Sequence, residues 1–116
     1  MQKNETLLEP SFQAKRFPLS YNQRSIWLQH CLAPDSVINH ISQAIHLQNE
    51  IDGSKFQRAL QKTVDRQPGL RTTFPVVNGQ PMQMVHRHQP IHFQHEDSSG
   101  WDDDFLHKRM AEEANR

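Results

Sequence analysis

The chain has 116 residues, 34% of them hydrophobic, and its 13 Lys and Arg balance 13 Asp and Glu, so the formal net charge is zero. This length allows one domain or part of a larger one. The neutral charge argues against general nucleic-acid binding, and the sequence has neither a membrane span of ~20 apolar residues nor a signal peptide. The single cysteine, Cys31, excludes an internal disulfide and is typical of a reducing compartment, so a cytoplasmic location is predicted.

The first 16 residues differ from the rest of the chain because they carry no sustained apolar period. We expect residues 1–16 to be a flexible N-terminal lead. The alternative is a short docking segment built on Leu7, Leu8 and Phe12, which stand among polar neighbours. Residues 17–116 are then the structured part of the chain.

A helix followed by a strand is predicted in the first half of the structured part. Ser20 and Gln23 have the spacing of a capping box, in which each side chain bonds a backbone amide of the first turn, so a helix begins here. Pro34 ends it. Residues 40–48 alternate between apolar and polar side chains, a pattern that indicates a half-buried strand.

The second predicted helix has the strongest helical periodicity in the chain. Ser54 and Gln57 repeat the capping-box spacing and are expected to begin this helix. Apolar side chains and one threonine then recur at helical spacing over residues 56–64. Pro68-Gly69 is expected to end the helix, because neither residue continues a helix well.

A hairpin, a short strand and a final helix complete the order of elements. Residues 70–77 and 80–88 are expected to pair around Asn78-Gly79, the strongest short-range hairpin signal. Ile91–His95 is predicted as a short strand after Pro90, and Trp101–Ala114 as the final helix.

An acidic run lies at the start of that final helix, at Asp102, Asp103 and Asp104. We interpret these carboxylates as residues of the first helical turn, where they favour the positive end of the helix dipole. A divalent-cation site is the alternative.

Four histidines lie within ten residues: His86, His88, His92 and His95. His86 and His88 would lie on one face of a strand, as two ligands of a metal site can, but His92 and His95 would point to opposite faces of a strand. We therefore expect a polar outer face, and we assign no metal ligand. Cys31 has no identifiable base, so we interpret it as a small hydrophobe of a helix face rather than a nucleophile.

Two segments carry a family resemblance. Phe17-Pro-Leu-Ser20-Tyr-Asn-Gln23-Arg-Ser-Ile-Trp27-Leu28 resembles the first core motif of condensation domains in non-ribosomal peptide synthetases, Ser-x-Ala-Gln-x-Arg-Leu-Trp. Arg66-Gln-Pro-Gly-Leu70-Arg71-Thr72-Thr-Phe74 resembles the second, Arg-His-Glu-x-Leu-Arg-Thr-x-Phe. Asn22, Ser25 and Gln67-Pro68 depart from these patterns.

The resemblance implies an α/β fold, an α+β sandwich that is the incomplete N-terminal part of a chloramphenicol acetyltransferase-like condensation half-domain. It also implies amide-bond formation between an acyl donor and an amine acceptor, both carried on phosphopantetheine arms of carrier proteins, with no cofactor bound to the domain itself. A non-catalytic docking module derived from a condensation domain and a related carrier-dependent acyltransferase are the alternatives.

The resemblance assigns structural rather than catalytic roles to the motif residues. Ser20 and Gln23 are expected to cap a helix and Trp27 to lie in the core. Arg66 and Arg71 are expected to support the surroundings of the family's third motif, His-His-x-x-x-Asp-Gly. No two histidines are adjacent in this sequence, so no catalytic residue is assigned.

Three expectations about the chain by itself follow from this resemblance. The 116 residues alone should be inactive, because the third motif is absent from them. The partners of Arg71 near the third motif should then be missing, so that its side chain should be more exposed than in an intact domain. The donor should arrive on a carrier protein of a separate polypeptide or be a starter acyl group, and unpaired strand edges should promote self-association.

Overall fold

The computed structural model describes residues 14–116, and the predictions made for residues 1–13 lie outside the described part. Its elements in chain order are β1 (Ala14–Pro18), α1 (Tyr21–Leu32), α2 (Gly53–Arg66), a 3-10 helix (Pro68–Arg71), β2 (Thr72–Thr73), β3 (Val76–Val77), β4 (Gln80–His86) and α3 (Asp103–Ala114). Helices therefore accompany an antiparallel sheet, which confirms the predicted mixed α/β class.

Strand β4 is the centre of the sheet. β1 pairs along one edge of β4 with Ala14 opposite His86, and β2 and β3 pair with successive parts of the other edge. Met84, in the middle of β4, is only 2% exposed. Residues 14–16 thus belong to the sheet rather than to the flexible lead, because they supply the backbone partners that one edge of β4 requires.

The β3–β4 hairpin confirms the turn predicted from Asn78-Gly79. Both residues have positive φ, 51° at Asn78 and 76° at Gly79. A two-residue turn with this geometry matches the right-handed twist of the flanking strands, and asparagine and glycine reach it at low cost.

Helix α1 begins where the sequence predicts, and α3 begins at Asp103, two residues later than predicted. The Gln23 amide donates to Ser20 Oγ at 3.2 Å, and the Ser20 amide donates to Gln23 Oε1 at 2.8 Å, so the capping box is formed. At α3, the Asp102 carboxylate accepts from the Phe105 amide at 2.8 Å. The acidic run is therefore the beginning of a helix.

Helix α2 begins earlier than predicted, and its cap is Asp52 rather than Ser54. Asp52 Oδ1 accepts from the amides of Ser54 and Lys55 and from the Ser54 hydroxyl. A carboxylate reaches two free amides at once and is favoured at the positive end of the helix dipole. The predicted capping box at Ser54 and Gln57 is therefore wrong.

Acidification is expected to weaken the start of α2. The hydrogen bond from the Ser54 side chain, together with the Lys55 amide, holds the pKa of Asp52 below its ordinary value of 3.8. A carboxyl with a depressed folded-state pKa stabilises the fold above its unfolded pKa, and that stabilisation is lost as the pH falls through the folded value. Urea unfolding at pH 7 and at pH 3 should show this loss.

Asp52→Asn is the matched control for this pH effect, because asparagine caps a helix nearly as well but does not titrate. The variant should unfold with a smaller difference between the two pH values. A pH dependence equal to that of the unmodified chain would contradict the role given to Asp52.

The strands predicted at residues 40–48 and 91–95 are not formed. Both segments lie outside the sheet, and residues 41–51 and 91–97 make no backbone-to-backbone hydrogen bond within the described part of the chain. A β-strand requires a neighbouring strand with which its backbone can form hydrogen bonds. Both segments alternate between apolar and polar side chains, but among residues 14–116 no neighbouring strand pairs with either of them.

The described fold is open. Leu19 and Met84 are the only buried apolar residues among residues 14–116. The Cα radius of gyration is 17.7 Å, against about 13 Å for a compact domain of this length. The helices therefore present apolar side chains that the sheet does not cover, as expected of part of a larger fold.

Candidate functional site

The first motif forms the N-terminal end of α1 and lines one side of a cavity. Ser20 and Gln23 form the capping box, and Trp27 lies one turn later, half-buried. Trp27 lines a cavity of about 600 Å³ together with Phe74 and Val76. Its side chain is thus a cavity wall, not the fully packed core residue that we expected.

The second motif joins α2 to the sheet. Arg66 is the last residue of α2 and is exposed, which places its charge at the negative end of the helix dipole. Leu70 and Arg71 lie in the 3-10 helix, so the predicted strand begins only at Thr72. The Thr72 hydroxyl donates to the carbonyl of Pro68 at 2.8 Å and closes this turn.

Arg71 connects three parts of the chain. Its Nε donates to the carbonyl of Val64 in α2 at 3.1 Å, and its Nη1 donates to the carbonyls of His86 and Arg87 at the end of β4. The side chain is half-buried. Arg71 thus has hydrogen-bond partners within this chain, all of them backbone carbonyls, and its greater exposure relative to an intact domain stays a prediction.

The histidines do not converge. His86 Nε2 lies 2.8 Å from the Thr73 hydroxyl, across the β2–β4 pairing. His88 contacts Asp65 of α2, with 3.3 Å between Nδ1 and the carboxylate. Within residues 14–116, no three His, Cys, Asp or Glu side chains come together as metal ligands. The structure therefore places these two histidines in separate contacts.

Gln61 is a connecting residue that sequence reasoning missed. Its Nε2 donates to the carbonyl of Gln89 at 2.9 Å, and its Oε1 accepts from the amide of Ile91 at 3.0 Å. One amide side chain thus provides the donor and acceptor that a neighbouring strand would offer. The chain contains many glutamines, so nothing in the sequence distinguishes this one.

A second connection fixes the other end of the same segment. Arg109 of α3 holds Glu96 in a bidentate pair, with Nη2 to Oε1 at 2.6 Å and Nε to Oε2 at 3.3 Å. Arg109 also contacts Glu113, and that hydrogen bond holds the pKa of Glu113 below its ordinary value. Residues 89–96 are therefore tied to α2 at one end and to α3 at the other.

A larger cavity, of about 880 Å³, lies beside this segment. His92, Gln94 and Glu96 line it from one side, and residues 42–45 line it from another. Helix α3 supplies a third side. Phe93 points away from these alternating residues and lies 6.2 Å from Phe56, measured between ring centroids. The side chains of residues 91–96 thus alternate as in a β-strand, although no backbone hydrogen bond pairs these residues with another described strand.

The sequence model of the condensation domain matches residues 13–116, which is nearly the whole chain. This chain belongs to the condensation-domain family. The match spans both motifs and every element described above, so the Arg71 contacts and the Gln61 contacts are features of a condensation-domain fragment.

Curated relatives of this condensation-domain chain are much longer proteins. Tyrocidine synthase 3 of Brevibacillus parabrevis is 28% identical over 88 residues, which are 76% of this chain and 1% of that protein. Surfactin synthase subunit 2 of Bacillus subtilis (strain 168) is 30% identical over 105 residues, 88% of this chain and 3% of that protein. The dimodular nonribosomal peptide synthase of the same strain is 35% identical over 78 residues, 67% and 3% respectively.

No solved structure matches this chain. Among the described residues, no helix is both long enough and apolar enough to span a membrane.

Proposed function

We propose that this chain is the N-terminal part of a condensation domain that forms amide bonds in non-ribosomal peptide biosynthesis. The observation that carries this proposal is the family match over residues 13–116, together with a relative that is named as a nonribosomal peptide synthase. The proposed substrates are an acyl thioester and an amine, each presented on the phosphopantetheine arm of a carrier protein.

The proposed reaction is an acyl transfer from sulfur to nitrogen. The acceptor amine attacks the thioester carbonyl, the new C–N bond forms and the C–S bond breaks. The amine loses a proton and the donor arm leaves as a thiol. The reaction needs neither an oxidant nor a metal, since the thioester is already activated.

The role proposed for the described residues is architectural. Arg71 fixes the end of β4 against α2, and Gln61 fixes the segment that follows β4 against the same helix. Neither residue is assigned to the reacting atoms. Because the 116 residues hold no His-His-x-x-x-Asp-Gly motif, we propose that this chain alone does not catalyse the reaction.

The proposal is tested by mass spectrometry of the carrier-bound product. A longer polypeptide that contains residues 17–116 and the third motif should convert a loaded donor carrier and a loaded acceptor carrier to the amide, and the 116-residue chain should give none. Transfer to a free alcohol or amine but not to a carrier-bound amine would overturn the proposal in favour of a related acyltransferase.

Delivery of the donor by a separate polypeptide is part of the same proposal. A donor carrier supplied in trans should then support product formation without covalent fusion. Amide formed only when the carrier is fused to the domain would exclude delivery in trans while leaving the amide-forming function intact.

A further inference from the structure

The turn at Asn78-Gly79 combines a reactive side chain with an unhindered backbone amide. Asparagine is a thermally labile residue, because the backbone nitrogen of the next residue attacks its side-chain carbonyl. Asn78 is the only asparagine of the sequence that is followed by glycine. Since glycine has no Cβ, other groups approach its backbone closely. This dipeptide is therefore the position in the chain where the attack meets the least steric hindrance.

The structure leaves both reacting groups accessible. Asn78 and Gly79 are exposed, and neither the Asn78 side chain nor the Gly79 backbone nitrogen has a hydrogen-bond partner among residues 14–116. A Cβ built on Gly79 would meet no atom within 4 Å, so the space around this residue is open. No hydrogen bond therefore holds the side-chain carbonyl and the backbone nitrogen apart.

The hairpin around this turn has one very short arm. β3 contains only Val76 and Val77, whose partners lie at the start of β4. The Met82 amide donates to the carbonyl of Pro75 at 2.9 Å and adds a further bond between the two arms. Because so few bonds hold β3, its pairing with β4 depends on the geometry of the two-residue turn.

We propose that Asn78 is a site of spontaneous deamidation and that the isoaspartate formed there releases β3 from β4. The Gly79 nitrogen attacks the side-chain carbonyl of Asn78, the new C–N bond closes a five-membered imide, and the side-chain nitrogen leaves as ammonia with the proton of the Gly79 amide. Water then opens the imide at either carbonyl and gives aspartate or isoaspartate. The reaction needs no oxidant, reductant or enzyme.

Isoaspartate is the product that alters the fold. Its backbone runs through the side-chain carbons, so the turn gains one backbone atom. The paired strands require a turn in which both residues have positive φ, as Asn78 and Gly79 have here, and the longer backbone does not keep this geometry. Val76 lines the cavity of about 600 Å³ beside Trp27, so release of β3 also alters that cavity.

This modification is independent of the proposed amide-forming function. It involves only atoms of residues 78 and 79 and water, so it requires no partner protein and no particular covering of the exposed faces of the chain.

Deamidation is tested by peptide-map mass spectrometry of the 116-residue chain during storage at mildly alkaline pH, where more of the Gly79 nitrogen is deprotonated. Asn39 and Asn49 are matched internal controls, because both are exposed but are followed by histidine and glutamate. Asn78 should convert roughly tenfold faster than either control or more, and electron-transfer fragmentation should identify isoaspartate among its products. Conversion of Asn78 no faster than that of the controls would overturn the proposal.

Release of β3 is tested by hydrogen exchange at the Met82 amide. Chains with isoaspartate at position 78 should exchange this amide roughly tenfold faster than fresh chains, whereas exchange at Met84, which pairs with β1, should be unchanged. Asn78→Gly is the control variant, since Gly-Gly also favours this turn but does not deamidate. Its exchange at Met82 should stay the same after equal storage. Equal exchange at Met82 in fresh and isoaspartate-containing chains would show that the turn accommodates the added atom and would overturn the proposal.

Discussion

Arg71→Ala is expected to lower the free energy of unfolding by about 2–4 kcal/mol, because the variant loses three hydrogen bonds that a charged side chain donates to backbone carbonyls, two of them part-buried. The carbonyls belong to Val64, His86 and Arg87. A typical domain has only about 5–15 kcal/mol of stability in total, so the loss would be large. Urea unfolding followed by tryptophan fluorescence measures it.

Arg71→Lys distinguishes the geometry of the side chain from its charge. The guanidinium reaches α2 with Nε and β4 with Nη1, and an ammonium cannot span both directions. We therefore expect lysine to recover less than half of the stability lost in Arg71→Ala. Full stability of the lysine variant would show that positive charge alone is sufficient.

Arg66→Ala is the matched control for the Arg71 variants. Arg66 comes from the same motif but is exposed at the end of α2, and its side chain makes no hydrogen bond or ion pair to another described residue. Its replacement should change the unfolding free energy by no more than about 0.5 kcal/mol. A loss comparable to that of Arg71→Ala would contradict the distinction between the two arginines.

Gln61→Ala is expected to cost about 1–3 kcal/mol, since the Gln89 carbonyl and the Ile91 amide are part-buried and would lose their partner. Gln61→Glu should be at least as destabilising. A carboxylate cannot donate to Gln89, and it would lie beside Asp65, which now accepts a hydrogen bond from Gln61 at 3.0 Å. Hydrogen exchange at the Ile91 amide reports the release of the segment directly.

Gln57→Ala provides the control on the same helix. Gln57 lies one turn earlier in α2, is exposed and makes no side-chain hydrogen bond to another described residue. Its replacement should leave the exchange of the Ile91 amide unchanged. If both glutamine variants accelerate that exchange equally, then the segment is not held by Gln61.

Local signals in the sequence were sufficient to predict where several elements begin or turn. The capping box at Ser20 and Gln23, the hairpin turn at Asn78-Gly79 and the acidic start of α3 all appear in the structure as predicted. Each depends on atoms within three or four residues of one another, so the chemistry of neighbouring side chains determines it. The two core motifs likewise identified the family without any tertiary information.

Tertiary structure alone decided how the segments between these elements are held. The alternation of apolar and polar side chains over residues 40–48 and 91–95 predicted two strands, but neither forms. A strand needs backbone hydrogen bonds to a neighbouring strand, and the sequence of one segment does not determine whether such a neighbour is present. The contacts of Arg71 with backbone carbonyls, and those of Gln61 with residues 89 and 91, join residues between 7 and 30 positions apart. Which carbonyl a long side chain reaches depends on the packing of α2 against the end of β4, and no local pattern encodes that distance.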